Sequence, residues 1–134
     1  TMKNRIKLIE LMPSQFLIDE TRLANILQHF NIDLFEPVPV KEIDGILMIT
    51  DGHHRVCALD LLGFTDVPVR EETEDLDWAA YRQNRIDCLQ RGISSALDLK
   101  AHIVSSASYH EIWDAYCDEV HRSTSSVNEI ATNG

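Results

Sequence analysis

The run Asp51-Gly52-His53-His54-Arg55 places a carboxylate, a glycine, two imidazoles and a guanidinium in five consecutive positions. It follows the apolar run Ile46-Leu47-Met48-Ile49-Thr50. It precedes Val56, Leu59, Leu62 and Phe64, which are apolar at near-helical spacing. A strand ending at Asp51-Gly52 and a helix starting there would leave backbone N–H groups without partners at the positive end of a helix dipole. Such a start binds anions. Gly52 lets a ligand approach the backbone closely. Arg55 can fork two hydrogen bonds to phosphate oxygens. His53 and His54 project about 100° apart on a helix, so one is expected to face the pocket and the other to pack or lie at the rim. Asp51 has two readings, a helix N-cap or a group that holds Mg²⁺ or orients a nucleophile.

The elements that must position these residues are partly legible. Ile6 to Leu11 reads as a first strand, broken by Pro13-Ser14. Asp19 is a candidate N-cap for a helix carrying Leu23, Ile26, Leu27 and Phe30, which Asn31 and Asp33 end. Pro37 to Lys41 reads as an extended strand, and its two prolines point to a sheet edge or irregular pairing. Asp44-Gly45 is a hairpin signal. Ile46 to Thr50 then reads as a central strand buried on both faces. Gly63 is a helix stop, and Val67-Pro68-Val69 is a last short strand.

Composition shifts at Glu71-Glu72-Thr73-Glu74-Asp75, which reads as a solvated acidic link. Beyond it, Trp78, Tyr81, Ile86 and Leu89 suggest a helix to about Arg91, stopped by Gly92. Ser94 or Ser95 would cap a second helix around Leu97, Leu99 and Ile103. Ser106 or Ser108 would cap a third with Tyr109, Ile112, Trp113, Tyr116 and Val120. The expected organisation is an α/β (α+β) domain over residues 5–72, a helical annex over 75–122 and a flexible tail over 123–134. Thr1 ahead of Met2 reads as an expression remnant.

The 134 residues carry a net charge of −10. Residues 1–70 hold 7 basic and 10 acidic side chains, a net −3, and residues 71–134 hold 5 and 12, a net −7. Without a Lys/Arg cluster to displace counterions, DNA is not an expected partner. No apolar run approaches the roughly 20 residues that span a bilayer, and no signal-peptide pattern opens the chain. A soluble cytoplasmic protein is expected. Cys57, Cys88 and Cys117 have no CxxC spacing, which favours reduced cysteines packed in the core. His53 and Cys57 could share a helix face, but further zinc ligands are not evident.

Residues Phe35 to Glu71 resemble the ParB N-terminal domain family, which shares its small mixed sheet and helices with the sulfiredoxins. Glu36-Pro37-Val38-Pro39-Val40 is similar to that family's first box. Thr50-Asp51-Gly52-His53-His54-Arg55 is similar to its second, Gly-Glu-Arg-Arg in partition proteins and Gly-Cys-His-Arg in sulfiredoxins. Leu62-Gly63-Phe64-Thr65-Asp66-Val67-Pro68-Val69 fits the ending. The resemblance implies that Gly52, His53, His54 and Arg55 contact nucleotide phosphates of ADP, ATP or CTP. The sulfiredoxin nucleophile would fall at His53, which argues against sulfinic-acid reduction. The acidic 64-residue remainder argues against chromosome partitioning. Asp-Gly-His-His-Arg instead resembles the ParB-like free-serine kinases. That implies phosphate transfer to a small hydroxyl substrate, with Glu20 as base and Asp51 placing Mg²⁺ or the acceptor. Glu20 has a second reading, a first-turn acid favoured by the helix dipole. The alternative function is a non-catalytic nucleotide-binding module that docks or dimerises through the annex.

Overall fold

The computed structural model describes residues 4–123. Thr1 and residues 124–134 of the expected tail lie outside the described residues. The fold is mixed α/β, as the sequence indicates. Four strands form one sheet in the order β1-β5-β3-β4, from β1 (Arg5–Lys7), β3 (Val38–Ile43), β4 (Ile46–Ile49) and β5 (Asp66–Glu71). β2 (Ile18–Asp19) leads directly into α1 (Glu20–Gln28). β3 and β4 form an antiparallel hairpin, and its turn residues Asp44 and Gly45 adopt φ 53° and 80°. That conformation is the one Asp-Gly turns supply. α2 (His53–Leu61) then carries the chain back so that β5 runs parallel to β3. Val56 and Leu59 of α2 pack on Val38, Val40, Val67 and Val69 of the sheet.

The prolines do not place their strand at an edge. β3 lies inside the sheet, and β4, expected to be central, is the terminal strand. Proline lacks the N–H that an interior strand donates. Pro39 stands opposite Thr50, one step beyond the last paired residues Val40 and Ile49. The Thr50 N–H still donates to the Pro39 carbonyl at 3.0 Å. The Thr50 carbonyl, which receives no backbone proton from Pro39, accepts the Tyr81 hydroxyl at 3.1 Å instead. The outer side of β4 is covered by Met12, whose N–H and C=O bond Leu47 and Ile49.

The first strand is also shorter than its apolar run. It ends at Lys7, and Leu8–Glu10 coil into a 3-10 turn. Strand geometry would point Leu8 and Leu11 to opposite faces. The turn sends both into one core, where they are 0% and 1% exposed, and leaves Ile9 outside.

α1 stops at Gln28, and Asn31 caps a separate 3-10 turn, Ile32–Leu34. The segment beyond the acidic link forms α3 (Trp78–Gln90), a 3-10 helix (Ala96–His102), β6 (Ile103–Val104) and α4 (Ser106–Tyr109). α4 continues through a π-helical stretch, His110–Asp114, into helix over residues 115–123. Ser95 caps the 3-10 helix in a capping box with Asp98, as its spacing suggests. Ser105, not Ser106 or Ser108, caps α4. This annex shares its core with the first 72 residues. Cys88, Ile93 and Tyr109 pack with Met12, Phe16 and Met48, and β6 pairs in parallel with β2. Cys57 and Cys88 are buried as expected, whereas Cys117 is exposed.

Candidate functional site

α2 begins where the sequence places it, and its N-cap is Gly52 at φ 89°, with no side chain capping the first turn. The expectation that Asp51 caps this helix is not met. Asp51 is exposed, and its Oδ1 accepts the N–H of adjacent Gly52 at 2.9 Å. The first-turn amides of α2 therefore have no carboxylate partner among the described residues.

Arg55 lies across this end. Its Nη1 donates to the Glu36 carbonyl at 2.7 Å, and its guanidinium rests on the Phe35 ring at 5.6 Å. The guanidinium also occupies the space over Gly52, where a Cβ would meet Nη2 at 2.7 Å. Gly52 thus has two reasons to be glycine, its positive φ and the close approach of Arg55. Arg55 forms no ion pair among the described residues. A guanidinium beside the positive end of a helix dipole is a pairing whose charge suits an anionic group. Arg55 also lines a cavity of about 460 Å³ with Asn25, His29, Phe30, Phe35 and Glu36.

His53 and His54 behave differently from expectation, because both pack. They are 4% and 3% exposed. His53 Nε2 accepts the Ser14 N–H at 3.0 Å, and His54 Nε2 accepts the Asp19 N–H at 3.0 Å. The segment from Met12 to Asp19 wraps the first turn of α2, so two imidazoles 100° apart each meet a different part of it. Burial drives the His53 pKa down to about 3 and that of His54 to about 4, with the Arg22 charge adding to both. Both are neutral acceptors that bolt the helix start in place, and their Nε2 atoms are not free for phosphate. The Ser14–His53 contact of 3.3 Å is not a nucleophile and base, since Ser14 Oγ donates to the Ile49 carbonyl at 2.7 Å.

Asp19 is the N-cap of α1, as the sequence indicates, accepting from Thr21 N–H and Arg22 N–H. It also accepts the Ser106 hydroxyl. Burial by itself would raise its pKa, but the hydrogen bonds from Ser106, Thr21 and Arg22 outweigh that and hold the carboxyl below its usual range. Glu20 is exposed in the first turn of α1. Neither Glu20 nor Asp51 lines the cavity that Arg55 closes.

Arg22 is exposed on α1, and its charge adds to the lowering of the His53 and His54 pKa values. Glu72, expected in a solvated link, is 9% exposed and accepts the Thr50 hydroxyl at 2.8 Å.

A larger cavity, about 600 Å³, lies between α3 and the last helix, away from this site. Its Asp87 accepts the Tyr116 hydroxyl at 2.6 Å, and its Arg91 stacks on Phe16 at 3.9 Å. Those groups are already engaged with each other and the core. Among the described residues, no three His, Cys, Asp or Glu side chains gather to hold a metal ion, and no helix is long and apolar enough to cross a membrane.

The fold and site define a mixed α/β protein with an uncapped, arginine-covered helix start. No family model matches this chain, and no curated protein matches it. Among solved structures it is similar to protein Atu1540 from Agrobacterium tumefaciens, with 18% identity and a TM-score of 0.41 over 66% of this chain. The match covers 48% of that protein, so this chain spans about half its length.

Proposed function

We propose that this protein binds a nucleotide, with the phosphates on the Gly52–Arg55 helix start and the nucleoside in the adjoining groove. One observation carries the reading. Arg55 lies, without an ion pair among the described residues, over an uncapped helix N-terminus and beside a cavity that Phe30 and Phe35 help to line. The cavity volume of about 460 Å³ falls in the range of small-molecule sites. Phe30 and Phe35 give it an aromatic lining suited to a base, and Asn25 and His29 offer polar contacts. The resemblance to ParB-like proteins points the same way, and ADP, ATP and CTP are the candidate ligands.

In the catalytic form of this reading, the bound nucleotide donates phosphate to a small hydroxyl compound such as serine. Phosphoryl transfer depends on positioning and charge stabilisation. The α2 amides and Arg55 would hold the donor phosphates. Asp51, exposed beside them, would supply a carboxylate to a phosphate-bound Mg²⁺. Glu20 would accept the hydroxyl proton. The non-catalytic reading has its own support in the annex, where Ile86, Leu89 and Ile112 are 46–49% exposed and could meet a second copy.

A thermal-shift series with ADP, ATP and CTP, with and without Mg²⁺, tests binding, because a ligand of the native state raises apparent stability. No shift with any nucleotide would sink the reading. A coupled assay with serine and related hydroxyl compounds tests transfer. Glu20→Gln is expected to slow it by about 100-fold or more with binding unchanged. Binding without transfer across that panel leaves the non-catalytic module.

A further inference from the structure

The turn that presents the helix start has a second support, buried on the other side of the strand. Glu72 follows directly on β5, and its N–H donates to the Val40 carbonyl at 2.8 Å. This places its side chain under the end of β4. Both carboxylate oxygens are used. Oε1 accepts the Thr50 hydroxyl at 2.8 Å, and Oε2 accepts the N–H groups of Thr73 and Glu74 at 3.1 and 3.3 Å. Those bonds, with the one from Thr50 foremost, hold the carboxyl below its usual pKa range against the burial that would raise it.

Thr50 is the last residue before Asp51-Gly52, and every polar atom it has is tied down. Its N–H goes to Pro39, its carbonyl accepts Tyr81, and its hydroxyl reaches Glu72. The hydroxyl also lies 3.1 Å from the Pro39 carbonyl. It has one proton to give, and an ionised carboxylate is the stronger acceptor.

We propose that Glu72 is a positioning residue, which fixes Thr50 and thereby sets the Asp51–Arg55 turn in its anion-binding arrangement. The inference rests on the nucleotide reading for its functional meaning. Its physical content is separate: a buried carboxylate, remote in sequence, locks a strand end whose ladder is interrupted at Pro39. Without that lock, Thr50 would give its hydroxyl proton to Pro39, and the strand end would be held by Pro39 and Tyr81 with no tie to Glu72.

Amide exchange followed by NMR on the full chain tests it, with Glu72→Gln, Thr50→Val and the double variant. Thr50→Val keeps the shape and deletes only the donor, so it covers the case in which Glu72→Gln does not fold. Either change is expected to speed exchange of the residue-50 and Val56 N–H groups about 5- to 10-fold, the effect of losing about one ordinary hydrogen bond's net strength. The double variant should be no faster than the worse single one. Thr50→Ser should restore the native rates, and the Val69 N–H, bonded to Asn4 on the far side of the sheet, should not change. Uniform acceleration across the sheet, or no change at the turn, overturns the proposal. So does additivity in the double variant, which would mean that Glu72 acts only on residues 73 and 74. Calorimetry with pyrophosphate and ADP adds the functional readout, and variants with a loosened turn should bind both more weakly. A wild type that binds neither overturns the nucleotide reading, while the exchange pattern still decides the role of Glu72.

Discussion

The Arg55 guanidinium packs where a side chain on Gly52 would lie. Removing a bidentate charged contact to phosphate costs about 2–3 kcal/mol. Arg55→Ala should therefore weaken nucleotide binding about 30- to 150-fold with the fold intact. Isothermal titration would check it, and an unchanged affinity would remove Arg55 from the site. Gly52→Ala would put a Cβ 2.7 Å from the Arg55 guanidinium on a backbone at φ 89°. Strain at such a position costs about 1–2 kcal/mol. The expected outcome is a loss of stability in denaturant titration together with weakened nucleotide binding. A Gly52→Ala protein with native affinity would show that Arg55 need not lie over the helix start.

At the scale of elements, Asp19 joins three parts of the fold. It caps α1, its backbone N–H bonds His54 at the start of α2, and it accepts the Ser106 hydroxyl at the start of α4. An ordinary N-cap replaced by alanine costs about 0.5–2 kcal/mol. Asp19→Ala should exceed the typical value of about 1 kcal/mol, because it also strands the half-buried Ser106 hydroxyl. Asp19→Asn should recover most of the loss, since the amide oxygen still caps the helix. Urea denaturation of the two variants would separate these outcomes. A loss no larger than an ordinary cap would mean that the Ser106 contact adds nothing.

For the whole molecule, the two buried imidazoles make stability depend on pH above the carboxylate range. In the unfolded chain each histidine titrates near its ordinary value of about 6.5. In the fold His53 and His54 titrate near about 3 and about 4. Between these values the unfolded chain binds more protons, so stability rises with pH. The contribution is complete above about pH 6.5 and is lost as pH falls through the folded values. Each histidine steepens the loss by about 1.4 kcal/mol per pH unit within its window. Asp19, Glu72 and Asp98 have lowered carboxyl pKa values and add to the loss only further down, below the ordinary carboxylate range. Melting temperature should therefore begin to fall near pH 6, not near pH 4. A flat profile from pH 7 to pH 5 would show that the imidazoles are not held as buried acceptors.

Local chemistry was readable from the sequence. Asp44-Gly45, Gly52, Gly63 and Gly92 mark turns and helix ends because these residues tolerate the positive φ such places require. Asp19 and Ser95 are caps because a short side-chain acceptor just before a helix lies beside its unpaired first-turn amides. The mixed α/β class and the start of α2 follow from such signals and from apolar spacing. What tertiary structure decided was where the polar groups of distant segments meet. Pro39 lies in an interior strand because Tyr81, 42 positions away, supplies the proton that proline lacks. His53 and His54 are buried because the Met12–Asp19 segment brings backbone donors to them. Glu72 is buried because β5 runs beside β3 and carries it under Thr50. Each depends on a hydrogen-bond partner far along the chain, and no local propensity records which partner folding will bring.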